Sequence, residues 1–373
     1  MSDLTLILLA AGNSSRFKTP VKKQWLRIGH DPLWLYVTNR IKENLPSVNI
    51  VIAAHADEIP FMRPMCDYTI VQGGATRQQS LKNALTQVNT SYVMVTDIAR
   101  SCVDPDLIDR LIASKDAADT IVPVLDVHDT VVYEGATIER ENVKRVQTPQ
   151  LSRTDVLRRA LETDIEYTDE SSAVVAAGGS RCFVPGDTRA AKITHTSDLG
   201  ALECLIPPSA AVFTGNGFDV HGFEADKPMV LGGVSIDSPV GFKAHSDGDV
   251  AIHALIDALL GAACLGDIGM LFPDTDNAYK NIDSKELLKE CVSKLHQFGF
   301  VILHADITII AQAPKISPYK DLMRRTLAPL LHIPAARLNV KATTTEHLGF
   351  VGREEGVAVS ATASVHYFDW KHG

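Results

Sequence analysis

Asp219 and His221 stand two residues apart in Gly217-Phe218-Asp219-Val220-His221, so an extended segment turns both side chains to one face. His253 closes the stretch His245-Ser246-Asp247-Gly248-Asp249-Val250-Ala251-Ile252-His253, which reads as a loop running into a helix. One carboxylate and two imidazoles suit zinc with three protein ligands and an open fourth position, as in a catalytic site. A structural zinc would need a fourth ligand, and His245 is the nearby residue that could supply it. The plainer alternative is two satisfied polar residues on a strand and one histidine on a helix.

A second group of residues suggests phosphate chemistry near the amino terminus. Leu8-Leu9-Ala10-Ala11-Gly12-Asn13-Ser14-Ser15-Arg16-Phe17 joins an apolar run to a loop of small residues. Small side chains let backbone N–H groups approach phosphate oxygens. The loop is neither G-x-G-x-x-G nor a P-loop ending in G-K-[ST], which disfavours dinucleotide binding and an ordinary ATPase. Instead it supplies Arg16, with Lys23-Gln24 after a short gap. Two cations flanking a triphosphate would neutralise charge on the α-phosphate and on departing pyrophosphate. A plain strand-to-helix turn is the alternative.

These groups need rigid elements behind them. Leu4–Ala11, Asn49–Ala54, Tyr68–Gln72 and Tyr92–Thr96 read as buried strands, separated by helical patterns such as Pro32–Asn44 and Ala75–Gln87. That alternation predicts an α/β, Rossmann-like unit: a mostly parallel sheet with helices on both faces. Ligands then sit at the carboxyl ends of strands, where Gly12 and Asp97 fall. The pattern breaks around Pro207-Pro208, giving a domain over 1–206, a linker over 207–211 and a second domain over 212–373. Helices from Gly248 to Cys264 and Ser284 to Phe298 join strands at His304–Ala311, Leu338–Ala342 and Gly356–Tyr367. The second domain is therefore expected to be α+β, a compact sheet backed by helices on one side.

A length of 373 residues suits two cores. Hydrophobic residues at 45% and charged residues at 22% are ordinary for a globular chain. No apolar run reaches the roughly twenty residues a membrane helix needs. Six scattered cysteines without a C-x-x-C pair predict reduced thiols and a cytoplasmic location. A net charge of −9 argues against nucleic-acid binding. Anionic substrates must therefore be drawn by a local cluster, here Arg16, Lys18, Lys22, Lys23 and Arg27.

The pattern A-A-G-x-x-x-R-F followed by K-Q resembles sugar-nucleotide pyrophosphorylases, and the rest of the segment narrows the resemblance to 2-C-methyl-D-erythritol 4-phosphate cytidylyltransferase. Gly73-Gly74-Ala75-Thr76-Arg77-Gln78-Gln79-Ser80 is similar to that family's G-G-x-x-R-x-x-S, and Asp97-Ile98-Ala99-Arg100 to its D-A-A-R. Asp129-Thr130, Arg140, Thr148-Pro149-Gln150, Thr168-Asp169-Glu170 and Ala191-Lys192-Ile193-Thr194 follow in order. The resemblance implies that Arg16 and Lys23 are catalytic, that Gly12, Arg77 and Ser80 meet the nucleotide, and that Mg2+ or Mn2+ serves this site too. Asp97, Arg100, Thr130, Arg140, Thr148 and Lys192 would hold the sugar phosphate, with the arm bearing Thr130 and Arg140 reaching a neighbouring subunit. Lys22 stands where the family usually has proline, which leaves open whether Lys22 or Lys23 faces the phosphates; adjacency to Gln24 favours Lys23.

Beyond residue 212 the chain resembles 2-C-methyl-D-erythritol 2,4-cyclodiphosphate synthase. Gly217–His221, Ala244–Asp249, Gly266-Asp267-Ile268-Gly269, Phe272-Pro273-Asp274-Thr275-Asp276, Ala311–Lys315 and Lys341–Glu346 carry the likeness. It implies that Asp219, His221 and His253 bind Zn2+, and that Glu346 binds Mg2+ or Mn2+. It places His245 and Ser246 near phosphate, Asp267 and Gly269 on the erythritol hydroxyls, and Arg353 among the substrate contacts. Ala311, Pro314, Lys315 and Ala342 would form a cytosine pocket across a subunit boundary, with Thr343 and Thr344 on the diphosphate.

Together the resemblances imply a bifunctional enzyme of isoprenoid-precursor synthesis. One half would join CTP to methylerythritol phosphate; the other would cyclise CDP-methylerythritol 2-phosphate and release CMP. The first product lacks the 2-phosphate the second reaction needs, so an ATP-dependent kinase must act between them, and association with it is an expectation. Homo-oligomers are expected too: trimers of the second domain and dimers of the first are compatible with a hexamer. The alternatives are CMP transfer to another alditol phosphate and a non-catalytic scaffold.

Overall fold

The computed structural model describes residues 3–244, 246–273 and 282–372. His245 and the 274–276 part of one motif lie outside the described residues. The chain divides into two compact units. One runs to Pro207 and takes in the tail from Trp370, and the other runs from Pro208 to Asp369. The tail, expected to close the second domain, groups instead with the first: the Trp370 indole donates to the Arg27 carbonyl at 2.7 Å.

The first unit is built on strands Leu4–Leu9 (β1), Asn49–Ala54 (β2), Thr69–Gln72 (β3), Tyr92–Asp97 (β4), Thr120–Asp126 (β5), Lys144–Val146 (β6), Gln150–Arg153 (β7) and Arg181–Pro185 (β8). The sheet order is β6-β5-β7-β4-β1-β2-β3, with β8 paired to β5. β1 lies parallel to β2 and β4, β2 to β3, and β5 to β8. β7 runs antiparallel to β4 and β5, and β6 antiparallel to β5. The sheet is thus parallel where strands alternate with helices and mixed where short strands arrive later. Every residue of β1 is buried, which requires cover on both faces. Leu33–Asn44 (α1), Arg77–Leu85 (α2) and Pro105–Ala113 (α3) are among the helices of this unit. Thr76 starts α2 by accepting from the Gln79 N–H, and Asp104 with Pro105 starts α3.

The expectation of six reduced thiols fails at Cys102 and Cys204, which form a disulfide with Cα atoms 5.7 Å apart. They lie 102 positions apart in sequence, so a search for short cysteine spacings does not see the pair that folding creates.

The second unit contains Val212–Ala225 (β9), Val240–Phe242 (β10), Val250–Ala263 (α4), Ser284–Gln297 (α5), Phe300–Ile310 (β11), Lys320–Leu330 (α6), Leu338–Thr343 (β12) and Gly356–Tyr367 (β13). Its sheet order is β10-β9-β13-β11-β12, antiparallel except for β11 with β12. From Val359 onward β13 alternates buried and half-buried residues, as a sheet covered on one side does. α4 covers β9 and β13. Two glycines permit the approach: a Cβ at residue 215 would lie 2.3 Å from the Ala258 carbonyl, and one at residue 217 would lie 2.0 Å from the Ala254 carbonyl. On the opposite face Val212, Phe218 and Val220 are exposed. Among the described residues, no helix is long and apolar enough to cross a membrane.

Because α4 rests on bare strand backbone, Gly217→Ala should force helix and strand apart. The expected cost is about 1–3 kcal/mol, read as a lower urea midpoint for the second unit while the first unit's transition stays in place. An unmoved midpoint would contradict the close contact.

Two candidate active sites

In the first unit the loops after β1 and β3 and the end of β4 enclose a cleft of about 300 Å³. The two loops touch because residue 73 has no side chain; a Cβ there would fall 2.4 Å from that of Ala11. A Cβ at residue 12 would meet nothing within 4 Å, so Gly12 keeps its stretch of cleft wall bare. Arg16, Lys23, Arg77, Asp97 and Lys192 all line the cleft.

Lys23 is held by its own N–H, which donates to Ser14 Oγ at 3.0 Å, and its Nζ donates to the Ile193 carbonyl at 2.6 Å. Lys22 points elsewhere, its Nζ 2.6 Å from Glu58 Oε1. Glu58 is buried and also accepts from the Gln24 amide and the Trp25 indole. The geometry thus separates the two lysines, with Lys23, the one favoured by adjacency to Gln24, lining the cleft. Burial, with help from neighbouring Lys192 and Arg16, pushes the Lys23 amine down to about 8.

Asp97 receives Arg77 Nε at 3.0 Å and Lys192 Nζ at 2.6 Å. Burial alone would raise its pKa, but the two cations outweigh burial and hold it at about 2. Arg77 also reaches Glu170 Oε1 at 2.6 Å. Glu170 is fully buried, and burial pushes its carboxyl upward against the pull of Arg77. Neither Glu58 nor Glu170 was singled out from sequence; the only available signal was Glu170's place in the Thr168-Asp169-Glu170 match.

Other expected residues are less directly placed. Ser80 is buried, accepting from the Gly74 N–H at 3.0 Å and donating to the Thr76 carbonyl at 2.9 Å, so its hydroxyl braces the loop. Arg100 donates to the Ala190 carbonyl at 2.6 Å, and the Thr148 hydroxyl lies 3.3 Å from that of Thr96. Thr130 and Arg140 are exposed beside the hairpin of Val131–Tyr133 and Ala136–Ile138, with Arg140 donating to the His128 carbonyl at 2.6 Å. Among the described residues, the lining of this cleft does not include Arg100, Thr130, Arg140 or Thr148.

In the second unit β9 presents Asp219 and His221 and the first turn of α4 presents His253. Asp219 Oδ2 lies 3.3 Å from His221 Nε2 and 3.4 Å from His253 Nδ1. Three donors about 2.0–2.1 Å from a tetrahedral zinc would lie about 3.3–3.4 Å apart. The side chains fit that ion, and they form a compact donor group with ligand atoms all within 4.8 Å of one another. His221 Nδ1 sits 2.9 Å from the Gly248 carbonyl; donation there leaves Nε2 free to bind metal. Burial opposes ionisation of Asp219, but its contacts with His253 and His221 lower its pKa overall.

Asp249 is fully buried and begins α4, accepting from the Ala251 and Ile252 N–H groups and from those of Gly232 and Gly233. Ser246 Oγ accepts from the Gly248 N–H at 3.1 Å. Asp267 caps Ile268–Leu271 through the Met270 N–H at 2.8 Å, and both Asp267 and Gly269 are exposed.

The remaining expected residues gather elsewhere on the sheet. Asp219 is opposite Val359, Val359 opposite Ile309, and Ile309 beside Ala342. Three strand spacings put Ala342 about 14 Å from Asp219. Ala311 donates to the Thr343 carbonyl at 3.0 Å, which joins the loop bearing Pro314 and Lys315 to Thr343 and Thr344. Glu346 accepts from Thr344 Oγ1 at 2.8 Å and is not part of the Asp219 group. Arg353 pairs with Glu355 at 2.8 Å.

Comparison with known proteins agrees with this division. A family model described as 2-C-methyl-D-erythritol 4-phosphate cytidylyltransferase matches residues 4–207, and one described as the YgbB family matches residues 212–366. The bifunctional enzyme IspD/IspF of Sulfurimonas denitrificans is 57% identical over 370 residues, covering 99% of this chain and 96% of that protein. Its counterpart from Nitratiruptor sp. is 56% identical, with 99% of each covered. The structure of the bifunctional IspDF from Campylobacter jejuni matches with a TM-score of 0.92 at 48% identity, covering 99% of this chain and 100% of that one. The chain therefore belongs to the bifunctional IspD/IspF family of the methylerythritol phosphate route to isoprenoids, with a cytidylyltransferase unit followed by a cyclodiphosphate synthase unit.

Proposed function

We propose that CTP and methylerythritol phosphate react in the cleft around Lys23, and that CDP-methylerythritol 2-phosphate is cyclised beside Asp219, His221 and His253. The observation that carries this reading is the gathering of Arg16, Lys23, Arg77 and Lys192 on one cleft in a chain of net charge −9.

In the first reaction an oxygen of the 4-phosphate attacks the α-phosphorus of CTP. The bond to the bridging oxygen breaks, and its electron pair leaves on pyrophosphate. Arg16 and Lys23 offset the charge that grows on the α-phosphate and leaving group, while backbone N–H groups around Gly12 cradle the remaining phosphates. Asp97 with Lys192, supported by Arg100 and Thr148, holds the sugar phosphate. Thr130 and Arg140 serve a neighbouring subunit's cleft, consistent with their exposure on the arm.

In the second reaction an oxygen of the 2-phosphate attacks the β-phosphorus, and CMP departs with the bond pair. Zn2+ held by Asp219, His221 and His253, and Mg2+ or Mn2+ held by Glu346, would supply positive charge to the phosphate oxygens. Ser246 and His245 position the phosphate, and Asp267 and Gly269 take the hydroxyls. Ala311, Pro314, Lys315 and Ala342 receive cytosine, with Thr343, Thr344 and Arg353 assisting. A separation of about 14 Å between Ala342 and Asp219 favours a site completed by another copy, and the exposed Val212, Phe218 and Val220 offer a face for it. We take trimers of this unit and dimers of the first as the assembly, with the intervening kinase as a transient partner in the cytoplasm.

Lys23 is charged below about 8 and neutral above it. The kcat/KM for cytidylyl transfer should therefore fall as pH rises through that value, and Lys23→Arg should remove the fall. A limb that persists unchanged in Lys23→Arg would assign it to another group. Lys23→Ala should lower transfer by about 10²–10³-fold and spare cyclisation, whereas His253→Ala should do the reverse; product analysis by mass spectrometry reads both. Phe218→Asp should shift sedimentation to smaller species and remove cyclisation, with transfer retained. An unchanged sedimentation profile would remove the proposed face.

A further inference from the structure

We infer that Ser284, held by Asp247, is a positioning residue that sets which ring nitrogen of His253 is offered to the metal. The inference rests on the proposal that Asp219, His221 and His253 bind zinc. His253 turns Nδ1 toward Asp219, at 3.4 Å, and Nε2 toward Ser284 Oγ, at 3.1 Å. Only a neutral imidazole with its proton on one nitrogen can use the other as a ligand.

The hydroxyl of Ser284 is already committed as a donor. Its Oγ donates to Asp247 Oδ1 at 2.5 Å, and its N–H donates to Asp247 Oδ2 at 3.1 Å. An ionised carboxylate only accepts, so Ser284 Oγ has acceptor capacity alone to offer His253. This acceptor draws the proton to Nε2, against the competing pull of the Asp219 carboxylate on Nδ1, and so keeps the Nδ1 lone pair for the metal. Ser246 Oγ is a competing partner for Nε2, but at 3.5 Å it is the longer and weaker contact.

Placement supports the same role. Ser284 is fully buried at the start of α5, and the Asp247 N–H donates to the Ile282 carbonyl at 3.3 Å. The loop before α4 and the start of α5 are thus tied together behind the imidazole. His221 is treated in the mirrored sense, with Nδ1 toward the Gly248 carbonyl and Nε2 toward the site. Each imidazole therefore has a dedicated acceptor behind it.

The test titrates zinc chloride, against a competing chelator, into the metal-free full-length chain and its Ser284→Ala, Ser284→Thr and Asp219→Ala variants. Ser284→Ala should weaken zinc binding by about 10–100-fold, and Ser284→Thr, which keeps the hydroxyl, should recover most of the loss. Long-range ¹H–¹⁵N spectra of histidine-labelled metal-free protein, with the His253 signals assigned by their loss in His253→Ala, read the tautomer directly. The wild-type ring should carry its proton on Nε2, and Ser284→Ala should mix the two forms. Wild-type affinity in Ser284→Ala, or an unchanged tautomer there, would overturn the inference while leaving the zinc site intact. Should Asp219→Ala bind zinc as tightly as the wild type, the zinc reading itself would fail.

Discussion

Each unit is organised around one carboxylate that is taken partly out of water and then given partners from distant parts of the chain. Removing an ion from water costs several kcal/mol unless good geometry and further hydrogen bonds offset it. Asp97 meets that requirement with Arg77 from the start of α2 and Lys192 from beyond β8. Asp219 meets it with one imidazole from its own strand and another from α4. In both cases satisfying the carboxylate also fixes the groups that make the site.

The consequences differ because the partners differ. Four cations (Arg16, Lys23, Arg77 and Lys192) line the cleft around Asp97, and burial weakens ionisation of Glu170 behind Arg77. Positive charge gathered in this way suits a polyphosphate, and burial together with Lys192 and Arg16 lowers the pKa of Lys23. Around Asp219 the partners are neutral-capable imidazoles, so the arrangement suits a cation instead. Its precision comes from backbone contact: α4 can approach β9 only because residues 215 and 217 lack side chains. Asp249 then holds the start of that helix through four backbone N–H groups.

Much of this was legible in the sequence because the relevant information was local. The period-two spacing of Asp219 and His221 gave their shared face, and the loop-to-helix pattern placed His253. Apolar runs located β1, β2 and β4. What escaped was pairing over long sequence distances. Glu58 beneath Lys22, Glu170 behind Arg77, and the Cys102–Cys204 bridge each join segments with no shared local pattern. Ser284 was visible only as the start of a helix, since nothing nearby in sequence points to His253. Thr130, Arg140 and Glu346 were recognisable as motif members, yet motif spacing does not say whose site they serve.

The two kinds of cation also impose opposite limits on one polypeptide. A site that relies on a lysine lowered to about 8 loses positive charge toward alkaline pH. A site that relies on imidazole ligands loses metal toward acid, because protons compete for the same lone pairs. Since the first product must gain a phosphate before the second unit can use it, neither limit is relieved by the other half of the chain. On the proposed reading, fusion would confine the pair to pH values at which Lys23 keeps its charge and the second unit keeps its metal. Both pockets would then, on that reading, present positive charge to phosphate, one through side chains and one through bound ions.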